Sequence, residues 1–191
     1  MKIKPKLTLA FLLAGLVPLV ILGVFSYNNA KEGVTNGVLN QLQSVAVIQK
    51  HRVESIISQN LERLALVSSR TQLRISLDSY IRENSTADQE RMNTILLDAR
   101  SSIKDFEEIY VLNLDGEVVA ATNETVIGSS FANEEAFILG RAEENSGALL
   151  FLDETEELEN YLSGPLYLED EFIGVVIIKS SADNILAVLG D

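Results

Sequence analysis

The chain has 191 residues, no cysteine, no tryptophan, one histidine and a net charge of −13. Without cysteine there is no disulfide framework, no thiolate metal site and no cysteine nucleophile. The charge is unevenly spread: residues 105–191 hold 2 Lys/Arg against 20 Asp/Glu, whereas residues 28–104 hold 10 against 8, so the second half repels nucleic acid and anionic membrane surfaces and a nucleic-acid-binding role is excluded.

Residues 7–25 form one apolar run of 19 residues, in which Thr8 is the only clearly polar side chain and none is charged. As a helix the run covers roughly 28 Å, the hydrocarbon thickness of a bilayer. Lys2, Lys4 and Lys6 precede it, and the positive-inside rule keeps them cytoplasmic while the remainder crosses. A cleaved signal peptide has a shorter apolar core and a small-residue cleavage motif. Neither is present, so the expectation is an uncleaved anchor, with a cytoplasmic segment 1–6 and a transmembrane helix 7–27. Pro18 at mid-span predicts a mild kink, which membrane helices tolerate. An exported domain without disulfides fits the bacterial inner membrane and periplasm.

Residues 28–83 carry Val34, Val38, Leu42, Val45, Val53, Ile56 or Ile57, Leu61, Leu64 and Val67 at helical spacing, with Arg52, Glu54, Glu62, Arg63, Arg70 and Arg74 on the wet side. That pattern is an amphipathic helix, long enough to be a stalk that becomes the spine of the domain, with a break near residues 68–71. A single apolar stripe of that length needs a partner, so a homodimer through this helix is expected. After a turn at 84–88, Thr86 and Gln89 stand at capping-box spacing and open a helix to about residue 103.

The period then changes from helix to strand. Residues 108–113 and 117–122 flank Asp115-Gly116, the signal of a type I′ hairpin. Residues 131–144 read as a helix with Asn133 as its cap and Asn145-Ser146-Gly147 as its stop. Strands are expected at 148–152, 158–168 and 172–179, joined by the acidic turns 153–157 and 169–171. Pro165 places the second of these at an edge or a bulge. The unbroken apolar run 172–178 reads as the buried central strand. Residues 182–189 look like the start of another helix, so 182–191 is expected to lead into a further region. The order predicts an α+β fold, with a five-stranded antiparallel sheet flanked by helices over residues 84–181.

Laid out in this way, the chain resembles the Cache (PAS-like) family of extracytoplasmic sensor domains of bacterial membrane receptors. Residues 16–27 are similar to the first membrane helix of such receptors and residues 72–77 to the membrane-to-domain spine. Residues 106–122 resemble the family's first hairpin, and 162–166 with 172–176 its last. The resemblance implies a membrane-anchored sensory input domain of a histidine kinase, diguanylate cyclase or chemoreceptor. It also implies a second membrane helix and an output module downstream, so the chain is expected to be part of a longer receptor. It places a small-molecule ligand between the sheet and the helix after the first hairpin, with Tyr110, Thr122, Phe131, Phe137, Arg141, Phe151, Tyr161 and Ser163 as lining residues. Arg141 is one of two cations in an acidic half. It must be held by a carboxylate, either of the chain or of a ligand, and the second case implies a carboxylate-bearing ligand.

No catalytic constellation is present, and no metal or cofactor is implied. His51 lies on the polar side of the long helix and reads as a surface residue. The carboxylate pairs lie in turns among other acids, not in the apolar niche that acid–base chemistry needs. The acidic clusters at 153–159 and 169–171 match no calcium-loop spacing and read as a solvated rim. The alternatives are an anchored partner-binding module without a ligand and a structural envelope protein of the pilin type. Pilins carry an acid inside the apolar run, and this run has none.

Overall fold

The computed structural model describes residues 3–144, 151–152 and 158–181, of which 3–10, 151–152 and 158–159 by backbone alone. The helix expected at 182–189, the acidic turn 153–157 and the stop at 145–147 lie outside the described residues. The chain divides into two units, Met1–Lys50 and His51–Asp191. In the first unit the apolar run lies within α1 (Ile3–Ser68), which contains Pro18. Every side chain from Phe11 to Ile48 is exposed. This helix is long and apolar enough to cross a membrane, and no part of its most apolar stretch is buried by protein.

In the second unit α1 ends at Ser68 and α2 (Thr71–Glu83) follows. Arg70 between them is extended, at φ −64° and ψ 107°. Arg74 closes the joint: its guanidinium donates to Ser69 O at 3.2 Å, at the frayed end of α1, and to Tyr167 O at 3.1 Å, on a distant strand. α3 (Thr86–Ser102) is capped one residue earlier than expected. Ser85, not Thr86, is the N-cap, and its side chain accepts from Asp88 N. Asp88 also accepts from Ser79 Oγ at 2.8 Å. That bond, with help from Ser85 and Arg91, holds its carboxyl below the usual range against the opposing effect of desolvation.

The strands are β1 (Phe106–Leu112), β2 (Val118–Ala121), β3 (Phe151–Leu152), β4 (Leu158–Leu168) and β5 (Glu171–Ser181), and all pairings are antiparallel. The order is β2-β1-β5-β4-β3. Four of these strands carry the sheet, while β3 adds two residues beside β4. Between β2 and β3 lies α4 (Glu135–Gly140), shorter than the expected 131–144, with Glu134, not Asn133, at its N-cap position and no side-chain capping bond there.

β5 lies in the middle of the order, as its apolar run predicts, with Ile173–Ile178 buried without interruption. Its alternate residues feed two cores. Val176 and Ile178 join Ile109, Val111, Leu162 and Leu166 against Leu64 and Val67 of α1, Leu73 and Leu77 of α2, and Met92 and Leu96 of α3. Val175 and Ile177 join Tyr110, Leu112 and Val118 against Ala136 and Phe137 of α4. Gly174 is fixed by close approach, since a Cβ there would run into the carbonyl oxygen of Leu112 and come within 3.1 Å of Leu77.

Strand pairing is limited at β2 and at β4. On β2, Val119 O accepts from Gln89 Nε2 at 2.8 Å and Ala121 N donates to Asn93 Oδ1 at 3.1 Å, so two α3 side chains take backbone groups that no strand takes. Gln89 therefore serves the sheet, not the capping box. Pro165 of β4 faces Val175 of β5 on one side, and the β3 pairing stops at Leu158 and Glu159. Among the described residues, the missing proline N–H faces no strand.

The two hairpin turns exchange the roles expected of them. In the first, only Gly116 of the Asp115-Gly116 pair has positive φ, at +81°. Asn113 Oδ1 accepts from the N–H groups of Asp115 and Glu117, each at 3.0 Å, and Asn113 N donates to Glu117 O. This is a three-residue loop with a left-handed glycine, not a type I′ turn. The type I′ geometry lies between β4 and β5, where Glu169 and Asp170 both have positive φ, at 50° and 69°.

Two consequences are measurable. Gly174→Ala destabilises the domain by about 3 kcal/mol or more, because the new methyl meets backbone that cannot move away. A denaturant titration checks this, and an unchanged midpoint contradicts the tight packing of β5. Left-handed conformation is costly for Glu169 and Asp170 and natural for Asn-Gly. The pair Glu169→Asn and Asp170→Gly therefore stabilises by about 1 kcal/mol, read as a rise of about 3 °C in Tm.

Candidate functional site

The sheet face covered by α4 holds most of the residues expected to meet a ligand. Strand register sets them in rows. Ala121, Tyr110, Ile177 and Ser163 lie directly opposite one another across four strands. One step further along, Glu108, Lys179 and Tyr161 form the next row. α4 lies over the middle of this face, where a Cβ on Gly140 would come within 2.8 Å of both Ser163 and Val175.

Two groups of side chains emerge on this face. The first surrounds Tyr110, whose ring is 5% exposed. Phe131 meets it edge-on at 5.5 Å. The Tyr110 hydroxyl donates to the Glu108 carboxylate, and Asn123 Nδ2 donates to the other Glu108 oxygen at 3.3 Å. Lys179, three-quarters buried, lies beside them in the row and reaches Glu107 at 3.9 Å. Tyr161 is half-buried opposite it. An apolar face thus ends in a polar cluster that carries both signs of charge.

The second group surrounds Arg141. Its guanidinium lies over the rings of Phe137, at 5.5 Å, and Phe172, at 6.0 Å. No carboxylate among the described residues pairs with it. Aromatic faces, not an acid among the described residues, hold this cation. Phe172 and Lys179 are seven residues apart on β5, about 23 Å along a strand.

The eight expected residues therefore do not form one cluster. Tyr110, Phe131 and Tyr161 gather at the polar end, and Phe137 and Arg141 lie toward the other. Ser163 is buried beneath Gly140. Thr122 closes the first hairpin, its Oγ1 accepting from Ile109 N and its own N–H donating to Ile109 O, both at 3.0 Å. Phe151 pairs with Glu159 on β3, and its side chain lies outside the described residues. Sequence reading missed Glu108, Asn123 and Lys179. Glu108 was within reach, since it stands two positions before Tyr110 in a strand and shares its face. Lys179 needed the register between β1 and β5.

Three solved structures share this fold. The sensor domain of the V. cholerae histidine kinase DctB matches with a TM-score of 0.66 at 19% identity, over 82% of this chain and 60% of that one. The ligand-binding domain of the Campylobacter jejuni chemoreceptor Tlp3, in complex with 4-methylisoleucine, matches at 0.58 and 14%, over 78% and 60%. The E. coli DcuS sensor domain matches at 0.56 and 17%, over 74% and 99%. The fold is that of the Cache-type extracytoplasmic sensors. The chain spans about 60% of the length of the first two of these structures. No family model matches the chain, and no curated protein does. The Cache-type neighbours are sensor domains, not catalytic ones.

Proposed function

We propose that the chain is the membrane-anchored sensory input domain of a bacterial receptor and that it binds a small carboxylate-bearing molecule on the α4 face of its sheet. The observation that carries this reading is the polar cluster Glu108–Tyr110–Asn123–Lys179–Tyr161 at the end of an otherwise apolar face. Charged and tyrosyl groups at such a place orient a ligand whose body the apolar surface holds. Lys179 offers a cation to a carboxylate, and Glu108 beside it offers an anion to an amine. An α-amino acid carries both groups, and the similar Tlp3 domain is known in complex with 4-methylisoleucine and with L-norvaline. Arg141 is the other cation of the face, positioned for a ligand that reaches toward Phe172.

The anchor is α1. Its apolar stretch is bare of protein contacts, and Lys2, Lys4 and Lys6 set its direction, with the sensor domain outside. The exposed apolar side chains Val38, Leu42 and Val45 beyond the span favour a dimer through the same helix.

A thermal-shift screen of the full chain in detergent, against amino acids, dicarboxylates and amines, tests the binding. At about 100 times Kd a ligand adds about 2.7 kcal/mol, a rise of about 5–10 °C in Tm. The expected hit is an acid whose effect is lost in Lys179→Met and kept in Arg141→Ala. Loss in Arg141→Ala alone moves the anion to the other end of the face, and stabilisation by amines only contradicts the reading. Orientation is checked separately. A reporter active only outside the cytoplasm, fused after residue 191, should be active, and activity of a cytoplasmic reporter there refutes the sensor assignment.

A further inference from the structure

Asp105, between α3 and β1, touches three elements at once. Its carboxylate Oδ2 accepts from Arg63 Nη1 of α1 at 2.9 Å, and both side chains are about three-quarters buried. Its backbone carbonyl accepts from Ser181 N at 3.0 Å, at the end of β5. One residue later β1 begins, with Phe106 opposite Ser180. A single residue therefore ties the spine helix to the two middle strands of the sheet.

The place of this joint matters. Ser181 is two residues from Lys179, and Asp105 is three from Glu108, so the polar end of the α4 face abuts it. The ladder between the two strands is irregular at just this point, with a register shift between Phe106 and Glu108. Bulged ladders bend more readily than regular ones. Deeper in the sheet β1 and β5 pair without interruption from Glu108 to Leu112.

α1 also carries an alternative partner for Asp105. Asn60 lies one turn before Arg63 on the same side of the helix and is 6% exposed. Its carboxamide has no side-chain partner among the described residues. It lines the same cleft of about 390 Å³ as Arg63, Asp105, Gln59 and Ile56. Asn60 is thus a second donor on the wall of the cleft that Asp105 also lines, and a small movement of α1 against the strand ends exchanges one donor to Asp105 for another. Such a pair of discrete hydrogen-bonded arrangements is what a two-position element requires.

We propose that Arg63–Asp105 is the coupling joint by which the state of the Glu108–Lys179–Tyr161 row is passed to α1, the helix that also carries the apolar span. This assigns a regulatory role to the site of the proposed function and rests on that reading. Removing the Tyr110 hydroxyl takes away one of the two hydrogen bonds described for the Glu108 carboxylate and leaves that from Asn123, which loosens the irregular start of β1 and weakens the hold of Asp105 on both Ser181 and Arg63.

Amide hydrogen exchange of the full chain in nanodiscs, read by NMR with Val176 as the internal reference, tests this without any ligand. A failed ligand screen therefore does not decide it, nor does this experiment decide the screen. Tyr110→Phe should speed exchange of the Ser181 amide several-fold relative to Val176. Arg63→Gln should speed it about tenfold, and Arg63→Lys should restore most of the protection. The double variant Tyr110→Phe with Arg63→Gln should exchange no faster than Arg63→Gln alone, because the joint is already open. A merely structural ion pair predicts that the two factors multiply. Multiplying factors, or an unchanged Ser181 rate in Tyr110→Phe, overturn the proposal.

Discussion

Six consecutive buried residues, Ile173–Ile178, leave the middle of β5 no solvent face. Each large side chain among them is worth about 1.5–3 kcal/mol only if it stays covered. Because alternate residues point to opposite sides, one cover cannot serve. The end of α1 with α2 and α3 closes one side, and α4 with the segment before it closes the other. The two covers are unequal. Three helices with long side chains build the first, while the second rests on one short helix that comes close enough only through Gly140. The thinner cover is the side on which polar groups collect.

How much of this was legible in the sequence depended on the range of the signal. β5 was readable because an apolar run without a polar gap has one explanation inside a sheet. Pro165 told its own position, since its missing donor restricts where it can sit. The caps were less legible: Ser85 and Thr86 are chemically alike, and the choice fell to Gln89, whose amide is claimed by Val119 of a strand thirty residues away. The turns were misassigned for the same reason. Asp115-Gly116 has the composition of a type I′ turn, but the Asn113 side chain takes two backbone N–H groups and lengthens the loop. Glu169-Asp170 has no such composition and is forced into left-handed geometry by the strands it joins.

The candidate site follows the same rule. Tyr110 and Tyr161 were visible as aromatic residues in strands, but their relation to Glu108 and Lys179 exists only once β1, β5 and β4 are in register. Arg141 was singled out because cations are rare in its half of the chain. What holds it proved to be the rings of Phe137 and Phe172, not one of the surrounding acids among the described residues. An arginine held over aromatic faces keeps its N–H groups available, which an arginine locked in an ion pair does not.

The treatment of these strands has a consequence at high local concentration. Copies held close together meet far more often than the same number of molecules dispersed in solution. An open strand edge would then act as a template, and chains would stack edge to edge into insoluble ribbons. Gln89 and Asn93 occupy the backbone of β2, and Pro165 withholds a donor from β4. At these two positions neighbouring copies can meet only through side chains, which keeps such contacts finite and reversible.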